Sequence, residues 1–133
     1  MRREPHFPSS ARVWTLAETG HIEGLMAAHS FTTLFYLYRR QGDPGQAYSA
    51  IRRLLRVFAV AGVDQGVLEA ACDLAWRDFE DAVQAMAAIG AGCNYLITRN
   101  PRDYDLRPLT VLEPAAFLAV WAAEQDRKGN IVT

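Results

Sequence analysis

The chain contains no apolar run of about 18 residues, so it offers no membrane span. No basic stretch followed by an apolar core stands at its start, so no signal peptide is read. Cysteine is scarce: Cys72 and Cys93 lack metal-type spacing and read as small buried hydrophobes of a reducing, cytoplasmic compartment. The three histidines, His6, His21 and His29, spell no zinc pattern. No serine sits in a glycine-framed elbow, and no glycine-rich loop cradles phosphate. Repeats, low-complexity segments and domain linkers are absent as well. These absences leave no ground for a zinc hydrolase, a nucleophilic hydrolase, a P-loop enzyme or a membrane protein.

What is present fits one domain over residues 1–133, with a flexible tail at 127–133. Half of the residues are hydrophobic, enough for a real core. The net charge is only -1, but it is unevenly spread. Residues 1–57 hold eight arginines against four acids, and the remainder holds six bases against eleven acids. Such asymmetry suits an acidic centre beside a basic, phosphate-tracking surface, and it equally suits solvated helix faces.

Punctuation along the chain predicts alternating helices and short strands. The first ten residues, with Pro5 and Pro8, read as an arm. Ser9 or Ser10 then caps a helix that ends at Gly20. "IEGLMAAH" reads as a strand. In "SFTTLFYLYRR", Phe31, Leu34, Phe35 and Tyr38 form a helical stripe that predicts aromatic core. Asp43-Pro44 caps the next helix, with Ala47, Ile51, Leu54 and Leu55 inward and Arg52, Arg53 and Arg56 outward. "VFAVAGV" reads as a buried strand, Asp64 caps a short helix, and Asp78 caps a small-residue helix with Phe79, Val83, Met86 and Gly90 on one face. "YLITRN" is the strongest strand, closed by Pro101. "LTVLE" is the last strand, and Pro114 opens the last helix. The alternation predicts an α/β fold with a parallel sheet in three α/β/α layers.

In open α/β sheets, sites gather beyond the carboxyl ends of strands and at nearby helix starts. Thr98, Arg99 and Asn100 end one predicted strand, and Asp78, Glu80 and Asp81 start the helix before it. If they converge, these hard oxygen donors suit Mg²⁺ or Mn²⁺, ions that activate water and stabilise a phosphodiester transition state. The same acids also suit plain capping, because carboxylates in a first turn favour the helix dipole. The residues leave both readings open.

The stretch "DFEDAVQAMAAIGAGCNYLITRNPRDYDLRPLTVLEPAAFL" resembles the C-terminal half of a PIN domain, and "IEGLMAAHSFTTLFYLYRR" is similar to its upstream pattern. The resemblance implies a metal-dependent endoribonuclease of the toxin–antitoxin type, with RNA and an antitoxin protein as partners. It implies Asp81 and Asn100 as metal ligands, with Asp78 catalytic beside them and Glu80, Thr98 and Asp103 in support. Arg39, Arg40, Arg52, Arg53 and Arg56 become the expected RNA contacts. Two elements of the family pattern are missing. The first is the opening central strand with its Asp-Thr-Asn motif; the second is the glutamate near Thr33 or Tyr36. Mg²⁺ or Mn²⁺ binding is therefore expected to be weak or absent and activity impaired, with an inactive binding or oligomerisation module as the alternative. Without that strand, the strands near Leu25–Ala28 and Tyr95–Thr98 need a partner. The expectation is a homo-oligomer, with closing of the two neighbouring strands on each other, or donation of the N-terminal arm or of Asn130–Thr133, as the other solutions.

Overall fold

The computed structural model describes residues 6–104 and 109–132, with side-chain burial defined over 9–104 and 109–125. Asp105 and Arg107 therefore lie outside the described residues, as do Arg2 and Arg3. Among the described residues, six α-helices and four short strands follow one another as α1 (His6–Glu18), β1 (Leu25–Ala27), α2 (Ala28–Gln41), α3 (Pro44–Val57), β2 (Ala59–Ala61), α4 (Gln65–Leu74), α5 (Phe79–Gly90), β3 (Tyr95–Ile97), β4 (Thr110–Leu112) and α6 (Pro114–Val132). A 3₁₀ turn, Pro101–Asp103, follows β3. Each strand lies within a segment that its apolar run predicts. The α/β fold class stands, with every strand pairing parallel. No helix among the described residues is long and apolar enough to cross a membrane.

The strands form two separate pairs, β1 with β2 and β3 with β4. Residues 6–10 and 130–132, expected as sources of a donated strand, are helical. Ser9 and Ser10 lie inside α1 and do not cap it. The predicted caps before α3, α4 and α5 all form. Asp43, Asp64 and Asp78 accept the N–H of Gln46, Val67 and Asp81 at 2.9, 2.9 and 3.0 Å.

The chain packs as two compact units, one from residues 16–93 and one from the described parts of 1–15 and 94–133. In the larger unit, Ala27, Ala61 and Ala87 join the strands to α5, and Ala71, Ala82 and Val83 join α4 to α5. Small side chains let these backbones approach closely. α5 ends in a Schellman turn: Gly92 takes φ 75°, Cys93 N–H reaches Ala88 O at 3.0 Å, and Gly92 N–H reaches Ile89 O at 3.0 Å. In the smaller unit, α6 covers the β3–β4 pair, and Leu96, Tyr104, Leu109 and Phe117 are buried.

Burial corrects several side-chain expectations. Phe31 is buried, but Tyr38, Leu55 and Phe79 are exposed, and so is Cys72. Periodicity identifies a face, and the neighbouring element decides whether anything covers it. Cys93 is half-buried, and its thiol pKa is raised by burial first and by the nearby Glu23 carboxylate second. It is therefore a protonated, weakly nucleophilic thiol at neutral pH.

Gly24 packs against the Phe58 ring. A Cβ placed there would lie 2.8 and 2.9 Å from Phe58 Cδ1 and Cε1 and 3.1 Å from Ala17 Cβ. Gly24→Ala must displace the ring and is expected to cost about 1–3 kcal/mol by overpacking. Urea unfolding checks this: an unchanged midpoint would contradict the contact.

Candidate functional site

The start of α5 meets the start of α2 inside the larger unit. Asp78 is the N-cap, with extended backbone (φ -97°, ψ 104°), and its Oδ1 accepts the Asp81 N–H. Asp78 and Glu80 are exposed, whereas Asp81 is half-buried. Glu80 turns toward α2, where the Thr33 hydroxyl lies 2.9 Å from its Oε2 and 3.3 Å from His29 O. The hydroxyl has one proton, and the shorter, charge-assisted bond to the carboxylate is the stronger. His29 Nε2 lies 3.3 Å from Glu80 O, which assigns the proton to Nε2 because a carbonyl only accepts. His29 Nδ1 is buried and has no hydrogen-bond partner among the described residues.

Sequence reasoning misses this α2–α5 link. Thr33 and Glu80 are 47 residues apart, and no local pattern pairs them. Only the family comparison singles out Thr33, as a residue near the place of the missing glutamate. In the structure that threonine holds a glutamate from α5.

The second group of predicted residues belongs to the smaller unit. Thr98 N–H donates to Leu112 O at 3.0 Å, extending the β3–β4 ladder. Its hydroxyl accepts the Asn100 N–H at 3.2 Å, and Asn100 O accepts the Asp103 N–H at 3.1 Å. The strand end is thus a hydrogen-bonded turn, with Asn100 and Asp103 exposed on it. Asn100 makes no side-chain capping bond to the 3₁₀ turn.

Both groups carry hard oxygen donors, the chemistry that suits Mg²⁺ or Mn²⁺. In number they fall short. Among the described residues, no three His, Cys, Asp or Glu side chains stand together to hold a metal ion. The residues present therefore fit such an ion in kind and not in count.

The five arginines expected to meet RNA are all exposed, on α2 and α3. Only Gly42 and Asp43 join these helices, and the Phe35 and Tyr48 rings meet across the seam at 4.8 Å. Arg39 and Arg40 end α2, where positive charge also complements the helix dipole.

A family model described as "PIN domain" matches residues 1–102, well over half of the chain. The chain belongs to the PIN domain family. The match takes in the α2–α3 hairpin, all of α5, and the strand end with Asn100. PIN domains are generally nucleases and generally use divalent metal ions. No curated protein and no solved structure matches this PIN domain.

Proposed function

We propose that this PIN domain is a cytoplasmic ribonuclease, hydrolysing RNA phosphodiester bonds with Mg²⁺ or Mn²⁺ as the toxin member of a toxin–antitoxin pair. The family match carries the reading, because it spans both Asp81 and Asn100. These two are assigned as metal ligands residue by residue from the family pattern. Asp78 stands beside Asp81 as its cap, and Glu80, Thr98 and Asp103 are the supporting groups. Since the donor count is short, turnover is expected to be low. The chain is proposed to self-associate through its short strand pairs, since exposed edges invite pairing.

The absence of a three-residue metal group among the described residues favours one second reading, an inactive PIN-like binding or oligomerisation module. Incubating the protein with end-labelled single-stranded RNA in Mn²⁺, Mg²⁺ or EDTA separates the two. Slow cleavage in Mn²⁺ that EDTA abolishes is the expected result. No cleavage at any protein concentration, with RNA still bound, would establish the binding module instead.

A further inference from the structure

The α2–α3 hairpin carries two solvent-facing features. Between residues 28 and 57 five arginines face a single acid, Asp43, whose Oδ1 already accepts the Gln46 N–H. Large side chains also stand in solvent there: Tyr36 is 72% exposed and Tyr48 is 55% exposed, with Leu37 and Leu55 beside them.

Helix geometry organises these residues. On α3, Tyr48, Arg52, Leu55 and Arg56 fall at i, i+4, i+7 and i+8, which is one flank. It lies largely opposite the buried face of Ala47, Ala50 and Leu54. Arg53 turns to the other flank. On α2, Tyr36, Arg39 and Arg40 fall at i, i+3 and i+4, also a single flank. The Phe35–Tyr48 ring contact, tilted at 58°, sets the α3 flank against α2. Exposed tyrosine rings and guanidinium groups thus lie along both helices of the hairpin. Along α3 from Pro44 to Arg56 the backbone rises about 18 Å.

From this arrangement we infer that the outer flank of the hairpin is a docking surface for single-stranded RNA, with Tyr36 and Tyr48 as base-stacking residues and Arg39, Arg40, Arg52 and Arg56 as phosphate contacts. The inference rests on the ribonuclease reading for its choice of nucleic acid. Charge complementarity selects the polyanion, and the exposed rings select unpaired bases, because a base can stack on a ring only when its face is free. A duplex would present phosphates to the arginines and leave the rings unused. A second copy of the same face is disfavoured, since it would set arginine against arginine.

The test is fluorescence anisotropy with labelled oligouridine and the full chain in EDTA, so that cleavage plays no part. Binding should fall with salt at a slope of roughly -3 on logarithmic axes, as four neutralised phosphates require. Y36A/Y48A should weaken binding at least tenfold with little change in that slope, while Y36F/Y48F should restore it. R52A/R56A should lower affinity and flatten the slope. Wild-type affinity in Y36A/Y48A, equal affinity for duplex RNA, or preference for an acidic amphipathic peptide would each overturn the inference. Hairpin-dependent binding without any cleavage in Mn²⁺ keeps the surface and removes the nuclease. Cleavage that persists in hairpin variants with unchanged affinity does the reverse.

Discussion

Truncating Phe117 to alanine is expected to lower the stability of its packing unit by about 3–5 kcal/mol, the usual range for a buried phenylalanine. Phe117 is only 6% exposed, and its ring meets Tyr95 edge-on at 5.5 Å and 70°. The truncation therefore removes a buried ring, an aromatic contact and the packing of α6 against the β3–β4 pair together. That pair has three residues per strand and depends on its helix for cover, since an isolated two-stranded pair is marginal in water. Phe117→Leu retains most of the volume and is expected to cost less than about 1.5 kcal/mol. Phe79→Ala is the counterpart: its ring is 49% exposed, so the loss should be well under half that of Phe117→Ala. Urea unfolding followed by tryptophan fluorescence checks all three. Equal losses at Phe117 and Phe79 would mean that burial does not rank them.

That comparison also marks what periodicity can tell. Phe79 and Val83 occupy one predicted face of α5, yet Val83 is buried and Phe79 is open. A helical period gives the direction of a side chain; the neighbouring element decides whether anything covers it. The caps are different. Asp43, Asp64 and Asp78 each act within three residues, so the chemistry that reveals them is local and all three are legible in the sequence itself. The strands are legible too, because β-branched and aromatic runs such as "YLIT" and "TVL" are short, apolar and bounded by turn residues. Thr33–Glu80 and His29–Glu80 are not, since both join α2 to α5 through tertiary packing. The family pattern names Asp81 and Asn100, and the fold supplies the half-burial that sets Asp81 apart from its neighbours.

Asp78 and Asp81 are expected to separate cleanly when each is replaced. Asp78 spends Oδ1 on the Asp81 N–H, so Asp78→Ala removes an N-cap and should lower stability by about 1 kcal/mol. As a first-turn acid, Asp81 contributes about 0.3–1 kcal/mol through the helix dipole. Asp81→Asn preserves its shape and removes that contribution. On the proposed reading, the same change removes a metal ligand. RNA cleavage in Mn²⁺ should then fall at least 100-fold, about 2.7 kcal/mol at 1.36 kcal/mol per decade. Manganese affinity, followed by its paramagnetic resonance signal, should drop at least tenfold in Asp81→Asn and stay near wild type in Asp78→Ala. The two readouts do not depend on each other, because metal affinity is measurable even where turnover is slow. If both variants lose the same stability and neither alters cleavage or manganese binding, the carboxylates at the start of α5 are helix caps and nothing more.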